Sequence, residues 1–226
     1  MAYPTVDKPY GLRPINLIGG QPFAGSTRLL PITNGSVNYS TAIYYGDVVK
    51  LVATGTIEVE AGTTTVSNQG VAGIFLGCTY TNPSTKQKIF SQYWPGFASG
   101  VTDAQAYVAD DPDVLFKVVS VSSGTTVAFN GGTSVGNNAA LVQNSGSTVT
   151  GDSAVAIDGS SFAATATLPI RVVDVVPETA NSSGNFCEFI CKFNAPNLVS
   201  TYDAGPPITV TTVARGGHMY LNSSGI

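Results

Sequence analysis

Residues 132–136, Gly-Thr-Ser-Val-Gly, have the form G-x-S-x-G around Ser134. Asp152 and Asp174 follow, and then the only histidine, His218. This is the Ser…Asp…His order of α/β-hydrolases. Such a nucleophile needs a strand before the serine and a helix after it, because the sharp turn between them lifts the hydroxyl clear of the sheet. Here Gly131 and Gly132 precede the serine and Asn137 and Asn138 follow the motif, with no helical pattern. In a segment this rich in Gly and Ser the motif arises by chance. No catalytic residue is expected, and the chain is read as a non-enzyme.

Three carboxylates, Asp110, Asp111 and Asp113, flank Pro112. They have the chemistry of a Ca²⁺ site but lack the D-x-D-x-D-G spacing and distal Glu of an EF-hand loop. A turn is expected instead, with an Asp side chain capping backbone N–H groups and Pro112 fixing φ. Glu58 and Glu60 share a strand face, as a glycosidase carboxylate pair would. Nothing suggests a cleft around them, and solvated side chains are expected.

Cys187 and Cys191 lie on one apolar face with Phe189 and Phe193. In a strand the two cysteines stand roughly 13 Å apart. A disulfide needs Cα atoms within about 7 Å, so core packing is expected. Phe90, Tyr93 and Trp94 form the one dense aromatic knot. A sugar platform is chemically open there, but packing in a core or interface is the expected role. No phosphate loop, dinucleotide fingerprint or zinc pattern occurs, so neither cofactor nor metal is expected.

The elements that would position these groups are strands. Residues 47–52 and 56–60 read as a hairpin around Gly55. Residues 71–80 form a near-continuous apolar run, the mark of a strand buried on both faces. Residues 88–94 stop at Pro95, residues 104–109 and 114–121 flank the Asp110–Asp113 turn, and 170–176 and 186–193 read as hairpin partners across a turn at 181–184. Residues 122–168 are Gly/Ser/Thr-rich, an insertion-like region of short strands and long loops. No helical period of useful length appears. The fold expected is mainly β, a barrel or sandwich over 26–195. An extended, Pro/Gly-rich N-terminal arm (1–25) precedes it. A C-terminal tail (196–226) follows, in which 208–213 has the composition of an edge strand.

The apolar side chains interleaved in the arm make a free tail costly. It is expected to dock on its own barrel, a sister subunit or a different protein, with Tyr10, Leu12, Arg13 and Phe23 as the contact residues.

Composition points the same way. Charged residues make up 11% of the 226, against about 25% for an average soluble domain. Gly, Ser, Thr and Asn fill the gap. A surface so poor in charge is weakly protected against association, which suggests that much of it is covered in the working state. The ten basic residues are scattered within a net charge of −4, so no direct nucleic-acid contact is expected. No apolar stretch is long enough for a membrane helix, and the start lacks the pattern of a secretory signal. Synthesis in a cytoplasm is expected.

Several segments together resemble small virion structural proteins encoded near the capsid genes of tailed bacteriophages. They are residues 9–14 (PYGLRP), 19–25 (GGQPFAG), 45–49 (YGDVV), 107–116 (YVADDPDVLF), 135–139 (VGNNA), 150–153 (TGDS) and 168–171 (LPIR), in that order. The resemblance covers roughly residues 9–194, and the tail beyond it departs from the pattern. It implies a capsid decoration, or cement, protein: a homo-oligomer, by expectation a trimer. Such a protein is made in the host bacterial cytoplasm and bound to the outer surface of the virion head, where it bridges major capsid protein subunits. The alternative is a tail or fibre component that binds a host receptor. The resemblance implies no catalytic residues.

Overall fold

The computed structural model describes residues 6–34, 38–64, 66, 70–123, 126–127, 134–180 and 186–194, with backbone alone at 123, 126 and 127. No α-helix occurs among them. In chain order the strands are β1 (Arg13–Leu17), β2 (Arg28–Pro31), β3 (Val48–Leu51), β4 (Ile57–Val59), β5 (Val71–Thr81), β6 (Lys88–Ser91), β7 (Gln105–Ala109), β8 (Val114–Ser123), β9 (Thr126–Val127), β10 (Asn138–Ala139), β11 (Leu141–Val142), β12 (Ala156–Asp158), β13 (Ile170–Val175) and β14 (Glu188–Phe193).

Two sheets result. The first runs β10-β13-β14-β8-β12-β11, with β1 and β9 also on β8, and curls into a nearly closed barrel. The second runs β2-β7-β5-β3-β4, with β6 on β5. The expected hairpins are present: β3 pairs β4 with Lys50 opposite Glu58, and β13 pairs β14. The turn at Asp110–Asp113 is a corner between sheets. The chain leaves the second sheet along β7 and enters the first along β8.

β5 shows why its sequence is almost wholly apolar. Val71 and Ile74 pack between the two sheets against Phe116, Phe189 and Phe193. Ala72, Phe75, Cys78 and Tyr80 pack on the far side of the second sheet with Trp94, Val108 and Ile43. A strand buried on both faces has no place for alternation. It also has little room. A Cβ on Gly73 would lie 2.2 Å from the Ala109 carbonyl oxygen, so glycine is what allows β5 and β7 to approach there.

The described part of the arm joins the sheet as a strand. Residues 13–17 form β1, antiparallel to β8 with Arg13 opposite Lys117 and Leu17 opposite Val114. Pro14, which has no N–H to give, sits near the start of β1, just before the bulge that interrupts its ladder with β8. Of the three docking targets open to the arm, its own barrel is the one these residues occupy. The C-terminal tail, with the 208–213 segment, the turn at 181–184 and His218, lies outside the described residues.

Candidate interaction surfaces

The four residues expected to make contacts are first of all parts of this chain's own body. Leu12 is fully buried in the inter-sheet core, and its N–H donates to the Gly46 carbonyl at 2.9 Å. It has no surface left to offer a partner. The Tyr10 hydroxyl donates to the buried Glu188 carboxylate, which also holds Lys117 Nζ at 3.0 Å. Burial, and then this hydrogen bond, raise the Tyr10 hydroxyl far above the usual tyrosine range. The Arg13 guanidinium pairs with Asp152 at 2.7 Å and lies 4.2 Å from the centre of the Tyr45 ring. Phe23 is half-buried against the inter-sheet core, and its N–H donates to Ile15. Glu188 lies on the face of β14 opposite Cys187, Phe189, Cys191 and Phe193. The carboxylate is nonetheless buried, because Tyr10 and Lys117 supply its hydrogen bonds.

What the arm offers to solvent comes later in its sequence. Leu17 N–H donates to Gln21 and Gly20 N–H to Leu17, closing a tight loop that leaves Ile18 53% exposed. Ile18 N–H in turn donates to the Asp113 carbonyl. This places the loop at the corner where β7 gives way to β8. β2 begins at the same corner, with Arg28 paired to Asp110 at 2.7 Å, and its next residue, Leu29, is also 53% exposed. Two large aliphatic side chains therefore stand exposed on elements that meet at this corner. Neither stood out in the sequence, because exposure follows from the loop closure and the edge position of β2.

The chemical candidates resolve individually. Ser134 is buried, and the chain runs from it through a turn into β10 rather than into a helix. Gly131, Gly132 and Thr133 lie outside the described residues. Asp111 Oδ1 accepts from Asp113 N–H at 2.8 Å, the cap expected of a turn, and Lys192 pairs with Asp113 at 3.4 Å. Among the described residues no group of three or more His, Cys, Asp and Glu side chains is placed to hold a metal. Cys78, Cys187 and Cys191 are free thiols in the core. Burial pushes the Cys78 thiol up to about 12 and Cys187 to about 11, away from thiolate chemistry.

The expectation of a solvated Glu60 is overturned. Glu60 is 2% exposed, because its N–H donates to Val48 and extends the ladder while its carboxylate folds back to accept from Gly62 N–H at 2.7 Å. It lines a pocket of about 280 Å³ with Asp47, Tyr44 and Val155. Asp47 is buried too and accepts from Tyr44 N–H at 2.7 Å. Burial lifts its carboxyl from 3.8 to about 6, partly offset by hydrogen bonds from Ser153 and Tyr44.

That shift has a signed consequence. The folded chain holds a proton on Asp47 that the unfolded chain releases near pH 4. The stabilisation is complete below pH 4 and is lost as pH rises through 6. The change amounts to roughly 3 kcal/mol, at about 1.4 kcal/mol per pKa unit. Asp103 works the other way. The Lys88 hydrogen bond lowers it to about 2, so its contribution changes only below pH 4. Urea titrations at pH 4, 5, 6 and 7 are expected to show stability falling across the window, and Asp47→Asn to flatten it. An unchanged slope in the variant would contradict the assignment.

The aromatic knot separates into three environments. Trp94 is buried edge-on to Tyr80 and Phe97, each with ring centres at 5.2 Å. Tyr93 stacks on Tyr44 at 5.8 Å. Phe90 alone faces solvent, 73% exposed. It borders an open groove of about 520 Å³ that also takes in Leu76, Gly77, Tyr107, Arg13 and Gln92. Tyr107 shares a β7 face with Ala109, which packs in the inter-sheet core, so the groove lies where the second sheet runs on beyond its contact with the first.

No family model, curated protein or solved structure matches this chain.

Proposed function

We propose that the chain is a structural virion protein that decorates a phage head, bridging major capsid subunits through the corner carrying Ile18 and Leu29. The observation that carries the reading is the exposure of these two aliphatic side chains, on elements that meet at one corner of a body with few charges. Exposed apolar groups in such a surface gain most from being covered by another protein. The resemblance supplies the partner, and repetition by head symmetry multiplies a modest contact per copy. Small oligomers, trimers foremost, fit a bridging role. No catalytic role is assigned to any residue.

Binding to heads assembled from the major capsid protein of the same phage tests this. Ile18→Asp combined with Leu29→Asp is expected to leave the melting temperature within a few degrees of the parent. Occupancy on the heads should fall at least about tenfold, as expected when two charges must be desolvated at a contact. Undiminished occupancy by the folded double variant would remove the corner from the interface. Failure of the parent chain to bind heads, with recovery on isolated tails, would favour the tail reading.

A further inference from the structure

We propose that the groove between Arg13 and Phe90 is a binding site for a neutral oligosaccharide. Its apolar side is formed by Leu76, Phe90 and Tyr107, and its floor at Gly77 has no side chain. Gly77 pairs directly with Tyr107, so the gap lies beside that ring. Glycine is required there on two counts. Its φ is +139°, and a Cβ would stand 3.1 Å from the Ser91 carbonyl oxygen. A side chain at this position would also fill the groove.

The polar end is built from planar groups. Arg13 and Gln92 line the groove, and both donate to the same carboxylate oxygen, Asp152 Oδ1, at 2.7 and 3.0 Å. Asp152 holds Arg13 against the Tyr45 ring and leaves further guanidinium N–H groups and the Gln92 carbonyl oxygen for a ligand. The charges of Arg13 and Asp152 cancel, so this end suits an uncharged ligand with adjacent donors and acceptors, not an anion. Vicinal sugar hydroxyls meet that requirement, and the apolar face of a pyranose stacks on an exposed aromatic ring.

Thr79 stands next in the ladder to the groove's lining without itself lining it. Thr79 pairs across strands with Phe90 and sits two residues from Gly77, on the same face. It is 7% exposed, and its hydroxyl has no hydrogen-bond partner. Buried hydroxyls are rarely left so. A large exposed aromatic ring, a side-chain-free floor and a charge-neutral fork of donors together are the chemistry of saccharide recognition. The proposal does not depend on attachment to a head.

Affinity electrophoresis in gels containing dextran, mannan, galactan or arabinogalactan, with an array of bacterial surface polysaccharides, tests it on the full chain. The parent is expected to be retarded in at least one gel or to bind at least one array polysaccharide. Phe90→Ala and Tyr107→Ala should weaken that binding about tenfold or more, and Gln92→Ala by less. Val135→Ser, an exposed position on the turn before β10, whose neighbour Gly136 bonds to β13, should bind as the parent does. All variants should melt as the parent does. No binding to any of these polysaccharides would overturn the proposal. So would equal binding by Phe90→Ala, or parent self-association that Phe90→Ala abolishes, which would give the groove to a second copy.

Discussion

Deleting residues 1–17 is expected to leave a chain that does not fold. The segment contributes a fully buried leucine, Leu12, to the core between the sheets. It supplies β1, which covers the Val114–Lys117 edge of β8. It also brings Tyr10 to Glu188 and Arg13 to Asp152. Burying one leucine is worth about 2–3 kcal/mol, and each ladder hydrogen bond about 1 kcal/mol net. Their sum approaches the whole stability of an ordinary domain, about 5–15 kcal/mol. Without Tyr10, the Glu188 carboxylate keeps only its Lys117 partner in a buried site, which adds to the loss. Circular dichroism should show no cooperative melt. An arm that only docks on a partner predicts the opposite outcome, a truncated chain melting as the parent does.

Trp94→Ala is expected to be the most damaging single truncation, costing about 3–5 kcal/mol. Trp94 is fully buried, packs edge-on against Tyr80 and Phe97, and donates its indole N–H to the Tyr39 carbonyl at 2.9 Å. Its backbone exchanges hydrogen bonds with Ile43, so the truncation opens a cavity under a connection that stays in place. Trp94→Phe keeps most of the volume but leaves the Tyr39 carbonyl only the Phe97 N–H as donor, and should cost less. Because this is the only tryptophan, unfolding in urea is followed by circular dichroism rather than fluorescence. A loss below about 1 kcal/mol for the alanine variant would contradict the packing described, since surface truncations fall in that range.

Strands whose pattern is local were legible in the sequence. β5 announced itself by an apolar run that only a doubly buried strand requires, and the β3–β4 and β13–β14 hairpins by alternation around turn residues. β1 was hidden for a physical reason. Its proline and the glycines around it signal irregular chain, and what makes it a strand is β8, far along the sequence. Propensity does not report such pairings. Glu60 was misplaced in a related way. Alternation assigns a face, but backbone N–H groups and distant side chains decide whether a carboxylate on that face can be buried. The groove was legible only in part. Phe90 stood out by type, whereas Gly77 and Tyr107 gain meaning from the register that sets them side by side.

These placements refine the expected contact surface. Leu12 belongs wholly to the core, Tyr10 and Arg13 serve the body first, and Phe23 is half covered. Among the described residues of the N-terminal region, the large apolar side chain left to meet a partner is Ile18 in its loop, and Leu29 is exposed on β2, which starts at the same corner. A reconstruction of the intact virion tests the proposed role most directly. The proposal requires this chain on the outside of the head, repeated with the head's symmetry and seated across neighbouring capsid subunits by the Ile18–Leu29 corner. A handful of copies confined to the tail, or particles that lack the chain altogether, would contradict it.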